Sequence, residues 1–101
     1  MFEDCAVRLQ MIKMIRKDGT FDEVVHPCKV IRYNSEEEYI YLLSGKTELP
    51  AYSLDGVYEC TIDTKDGRAV CSGTIRERYW SKMGKVIVFR VENGFYKNNL
   101  K

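Results

Sequence analysis

Histidine, tryptophan and proline are scarce in this chain, whose 101 residues hold one His, one Trp and two Pro. With His26 as the sole imidazole there is no second nitrogen ligand for a metal, and no spare base to activate a Ser or Cys nucleophile. Its neighbour Pro27 and the surrounding alternation make His26 an ordinary surface or strand-end residue. Glycine-rich phosphate loops and dinucleotide fingerprints are also missing, so the chain reads as non-catalytic. Cys5, Cys28, Cys60 and Cys71 are separated by 23, 32 and 11 residues, with no Cys-x-x-Cys pair. They read as reduced thiols behaving as small hydrophobes, and no metal or other cofactor is expected. No apolar run approaches the roughly 20 residues that cross a bilayer. Glu3, Asp4, Arg8, Lys13, Arg16 and Lys17 interrupt the amino-terminal apolar residues, which does not suit a signal peptide. A cytoplasmic location without membrane contact is expected.

What is present suits one folded unit over residues 1–101. Hydrophobic residues make up 45% and aromatic residues 12%, enough for a modest core at a common domain size. The net charge of +1 hides an asymmetry. Residues 34–66 carry eight acids and two bases, net −6, whereas residues 68–101 carry two acids and eight bases, net +6. Such a distribution either steers an acidic partner to the carboxyl-terminal part or reflects opposite charges paired across neighbouring strands.

Short alternating runs separated by turn residues point to an all-β fold, a small antiparallel β-barrel of about six strands. Val7, Leu9 and Met11 alternate with Arg8 and Gln10 as in a strand, although Val7, Met11, Met14 and Ile15 also fit a helical stripe. Asp18-Gly19 suits a tight hairpin turn leading into a strand from Val24 to Tyr33. Glu36, Glu37 and Glu38 follow Asn34-Ser35 as a solvated turn, without the ligand spacing of a calcium loop. A strand at Tyr39–Leu43 comes next. Pro50 then interrupts residues 44–54, which should cross an end or edge of the sheet.

The last two hairpins allow register to be argued. An Asp66-Gly67 turn pairs Ile62 with Cys71, Cys60 with Gly73 and Tyr58 with Ile75, all on one face, making Cys60 and Cys71 diagonal neighbours. A Lys82-Met83-Gly84 loop with glycine in the left-handed position pairs Ser81 with Lys85, Tyr79 with Ile87 and Ile75 with Val91. Ile75, Ile87, Phe89 and Val91 then share the core face, and parity adds Glu77 to it unless a bulge intervenes. The opposite face gathers Arg76, Arg78, Trp80, Val86, Val88 and Arg90, with Trp80 opposite Val86 and Arg78 opposite Val88. An aromatic and aliphatic strip framed by guanidinium groups is a candidate binding surface.

The strand succession over residues 20–95, the Leu49-Pro50 connection and the Gly73-Thr74-Ile75-Arg76-Glu77-Arg78 ladder resemble the small amino-terminal barrel preceding the PilZ domain in flagellar-brake proteins of the YcgR type. That resemblance implies a PilZ-like split barrel serving as a non-catalytic accessory to a cyclic-di-GMP receptor. The receptor elements themselves are incomplete. Ser53 and Gly56 match the end of an Asp/Asn-x-Ser-x-x-Gly element, but Ala51 stands at its first position, and no Arg-x-x-x-Arg occurs. Cyclic-di-GMP binding by this chain alone is therefore not expected. Split barrels also hold flavin mononucleotide, but here no phosphate clamp stands out beyond the arginine cluster.

The residues thus point to a binding or regulatory barrel that docks another protein, a second copy of itself or an acidic small molecule through the Arg/Trp strip. The alternative is a barrel binding single-stranded nucleic acid. There Trp80, Tyr79, Phe95 and Tyr96 would stack bases while Arg76, Arg78, Arg90 and Lys97 meet phosphates.

Overall fold

The computed structural model describes residues 2–14 and 21–97, so the expected Asp18-Gly19 turn lies outside the described residues. Six strands form: β1 (Ala6–Met14), β2 (Val25–Asn34), β3 (Tyr39–Ser44), β4 (Gly56–Thr64), β5 (Gly67–Ser81) and β6 (Gly84–Lys97). They run antiparallel in the order β1-β2-β3-β6-β5-β4, and the ladder between β1 and β4 closes the ring. The fold is all-β, as the alternation implied. Val7, Leu9 and Met11 are buried while Arg8, Gln10 and Ile12 point outward, so the first segment follows the strand period and not the helical one.

Side chains of period two fill the interior from every strand, including Leu9, Val30, Ile40, Leu42, Ile62, Ile75, Ile87 and Phe89. Removing each from water stabilises the fold by roughly 1.5–3 kcal/mol, which is the main reason the ring closes. Phe2, Tyr33 and Phe95 pack ring against ring at one end, with centroids 5.1 to 5.5 Å apart. The Asn34–Tyr39 turn, the Lys65-Asp66 turn and both the first and last described residues lie at that end. At the opposite end the 45–55 connection folds over the barrel through a short 3-10 turn, Leu49–Ala51, with Pro50 at its start. Here Tyr52 inserts its fully buried ring. Residues 21–24 and the Lys82-Met83 turn share this end.

Both carboxyl-terminal hairpins differ in register from the sequence expectation, for one reason. Thr64 faces Gly67 across Lys65-Asp66, and Ser81 faces Gly84 across Lys82-Met83. Each glycine follows a two-residue turn at positive φ, +127° and +129°, where a side chain would be strained. The Thr64 and Ser81 hydroxyls donate to the carbonyls of those glycines at 2.8 and 3.1 Å. The two turns therefore share a Thr/Ser-Lys-x-Gly sequence and one design.

In the β4–β5 hairpin this moves the pairing by two residues. Cys60 lies directly opposite Cys71, not diagonal to it, and Tyr58 faces Gly73. Because the shift is even, every side chain keeps its expected face. The β5–β6 hairpin shifts by one: Trp80 faces Lys85, Tyr79 faces Val86 and Arg78 faces Ile87. A bulge at Arg76 then changes the register between Ile75, opposite Phe89, and Glu77, opposite Val88. The bulge sends the Glu77 carboxylate to solvent and keeps Ile75 in the core.

Candidate functional site

The one-residue shift splits the expected strip. Val86, Val88 and Arg90 stay on the outer face of β6, joined by Arg76 at the bulge. Opposite Val86 stands Tyr79, not Trp80, and opposite Val88 stands Glu77, not Arg78. Arg78 and Trp80 instead turn to the other side of β5. The Arg78 guanidinium donates to the main-chain carbonyl of Tyr52, tying β5 to the connection over the barrel end. Trp80 projects past the rim and is 68% exposed.

The outer face itself is tyrosine-rich. One row across four strands runs Arg32, Tyr41, Val88, Glu77, and the next runs Leu43, Val86, Tyr79. Val86 and Val88 are only 3% and 6% exposed although they lie outside the core, because flanking side chains shield them. Two concavities open here. One of about 370 Å³ is lined by Tyr39, Tyr41, Arg76, Glu77, Tyr79 and Val88. The other, about 260 Å³, includes Ile31, Arg32, Met83 and Val86 in its wall and shares Tyr41 and Tyr79 with the first. The Arg32 guanidinium sits 5.3 Å from the centroid of the Tyr41 ring, a cation–π contact. Among the described residues Arg76 and Arg90 have no side-chain hydrogen-bond or ion-pair partner. Two other cations are matched between strands and loops: Arg8 with Asp63 at 2.9 Å and Lys85 with Glu48 at 3.3 Å.

A different asymmetry marks the barrel end covered by the 45–55 connection. Eight large apolar side chains are exposed among the described residues: Ile12, Phe21, Val24, Val25, Leu54, Tyr79, Trp80 and Met83. All eight belong to this end, on strand termini or on the connections that cross it. The opposite end has none of them.

Polar groups are buried beneath the same end. Asp22 Oδ2 lies 2.5 Å from His26 Nε2, and Thr47 Oγ1 lies 2.8 Å from His26 Nδ1. His26 is 3% exposed, a buried position that the sequence did not signal, because its partners come from two separate connections. An open cavity of about 810 Å³ beside it is lined largely by apolar groups, including Met11, Phe21, Val24 and Ala51. With both ring nitrogens engaged, His26 offers a bound molecule neither a free proton nor a free lone pair. Its chemistry is that of a clamp joining residues 21–24 to the 45–55 connection.

Next to the clamp, the Ser44 hydroxyl donates to the Thr47 carbonyl at 2.8 Å. Tyr52 Oη is 2.7 Å from Ser44 Oγ and 3.4 Å from Cys28 Sγ. One arrangement satisfies the whole row: the Cys28 thiol donates to Tyr52, Tyr52 to Ser44, and Ser44 to the carbonyl. Burial pushes the Cys28 thiol up to about 11 and raises Tyr52 as well, so both stay protonated at neutral pH. Cys60 is raised by its hydrogen bond with Cys71 and by burial. All four cysteines are free, and Cys5 is the one not fully buried. No group of three or more His, Cys, Asp or Glu among the described residues is placed to hold a metal ion. No helix among them is long and apolar enough to cross a membrane.

No protein-family profile, curated protein or solved structure matches this chain. The candidate surfaces therefore stand on geometry alone. They also regroup the residues expected to hold nucleic acid. Phe95 packs with Phe2 and Tyr33 at the opposite end of the barrel, away from Tyr79, and the side chains of Tyr96 and Lys97 lie outside the described part.

Proposed function

We propose that this chain is a non-catalytic binding barrel that docks a protein surface, a second copy of itself included, through the end covered by the 45–55 connection. The observation that carries the reading is the gathering of all eight exposed large apolar side chains at that end. Single exposed hydrophobes are ordinary, but a grouped set rimmed by charge is the usual mark of an interface. Trp80 and Met83 stand at the tip of a hairpin held by the Arg78–Tyr52 and Lys85–Glu48 contacts, so little order is lost when they are covered. An accessory role beside a receptor domain, which the PilZ-type resemblance implies, is one form of this reading.

The sole tryptophan is the reporter. Sedimentation at rising concentration, with Trp80 emission recorded in parallel, should show association accompanied by a blue shift. Trp80→Ala and Met83→Ser should weaken association while leaving the melting temperature within a few degrees. A Trp80 emission already typical of a buried indole at high dilution would overturn the reading, since the end would then be covered by the chain itself.

A further inference from the structure

The two concavities on the outer face share Tyr79 and Met83 with the apolar end but extend from there across β6 and β3, and their chemistry differs. We infer that they form a binding groove for a short stretch of single-stranded nucleic acid, with Tyr41 and Tyr79 as stacking walls and arginines along its length.

Three features of the groove converge on that ligand. First, the two concavities, about 370 and 260 Å³, meet at Tyr41 and Tyr79, so two flat groups in succession would each find an aromatic side chain beside them. Aromatic side chains on a sheet surface stack bases regardless of sequence, because every base has a π-face. Second, the cations are distributed along the groove. Arg32 stands in the wall of one concavity and Arg76 in the other, and Arg90 lies on the same outer face beside Tyr39. Arg32 and Arg76 are separated by the three strand spacings from β2 to β5, roughly 14 Å at about 4.8 Å each. Third, Arg76 and Arg90 are not neutralised by any described side chain, whereas Arg8 and Lys85 are paired. Guanidinium groups left free around aromatic walls suit a polyanion with planar substituents.

Glu77 separates this ligand from an acidic polypeptide. Its carboxylate lines the 370 Å³ concavity, where it repels carboxylates and phosphates alike and favours a ligand that brings a hydrogen-bond donor between its charges, which Asp and Glu side chains do not. The same acceptor can take a hydrogen bond from the exocyclic amino group of cytosine. The occupant favoured by the groove is thus a single strand lying across β2, β3, β6 and β5, phosphates toward the arginines and bases between the tyrosines.

The test is fluorescence anisotropy with an end-labelled oligodeoxycytidine of twelve or so nucleotides, at salt between roughly 50 and 200 mM. Three phosphate contacts predict that log affinity falls against log salt with a slope of about −2. Tyr41→Ala and Tyr79→Ala should each lower affinity about tenfold, while Tyr41→Phe and Tyr79→Phe keep it and Trp80→Ala leaves it unchanged. Circular dichroism shows which variants are folded; should Tyr41→Ala fail, the more exposed Tyr79 carries the comparison. Absence of binding at the lower salt overturns the inference. So does binding that follows salt but ignores both tyrosine-to-alanine changes, or equal displacement by polyglutamate, which would make the groove an acidic-polypeptide site.

Discussion

The main-chain carbonyl of Arg90 occupies the space into which a β-carbon on Gly73 would project. Gly73 faces Val91 where the β5–β6 ladder changes register, and the close approach of the two backbones lets the long hairpin bend around the core. Gly73→Ala should therefore force the strands apart, at about 3 kcal/mol of stability. Chemical denaturation measures this, with a melting temperature lower by roughly 12–24 °C for a domain of this size. At Gly94 an added β-carbon meets nothing within 4 Å, so Gly94→Ala should change stability by no more than about 0.5 kcal/mol.

Trp80 and Ile87 give opposite results in the same measurement. Ile87 is fully buried in the barrel, and Ile87→Ala should cost about 2–5 kcal/mol through lost burial and the cavity left behind. Trp80 has most of its surface in water, and Trp80→Ala should cost less than about 1 kcal/mol despite deleting the larger side chain. A loss at Trp80 as large as at Ile87 would contradict the observed β5–β6 register.

These two residues also show how far the sequence could be read. Alternation located the strands, because one buried face imposes a period of two whatever the neighbour is. Parity in the β4–β5 hairpin survived an error of two residues, since an even shift leaves Tyr58, Cys60 and Cys71 facing inward. The error of one residue in β5–β6 did not survive, and it placed Arg78 and Trp80 on the wrong side of β5. The available signal was the Thr64-Lys65-Asp66-Gly67 and Ser81-Lys82-Met83-Gly84 similarity, which implies one turn geometry for both. Nothing local could have joined Tyr39 and Tyr41 to the site, because β3 pairs with β6 across 40 or more residues of chain. The His26 clamp was hidden likewise, its hydroxyl partner lying 21 residues away.

Stability should decline on the alkaline side. The Cys28 thiol titrates from an ordinary value of 9.0 to about 11 on burial, so the native state keeps a proton that the unfolded chain has lost. The contribution is fully present below pH 9 and disappears as pH rises towards 11, amounting to about 2–3 kcal/mol at most. Cys60 and Tyr52, both raised, act in the same direction. Urea titrations across this range should show the fall, and Cys28→Ser should make it shallower while keeping a donor for Tyr52.

Thiol labelling should follow burial. Cys5 is the partly exposed cysteine and should react first with a water-soluble disulfide reagent at neutral pH. Cys28, Cys60 and Cys71 should react at the rate of global or local opening, and denaturant should release four reactive thiols in total. Two thiols missing from the denatured count under non-oxidising handling without added reductant would reveal a Cys60–Cys71 bridge, the pair that register sets face to face.

Phe2 and the end of β6 both leave the barrel beside the Phe2–Tyr33–Phe95 cluster, so the two ends of the described chain lie opposite the exposed apolar side chains. A fluorescent label or surface tether attached at Phe2 is held on the far side from Trp80 and Phe21. Anchoring the barrel beside the Phe2–Tyr33–Phe95 cluster would thus present the apolar surface outward in one orientation, and two molecules meeting apolar end to apolar end would keep both clusters away from their contact.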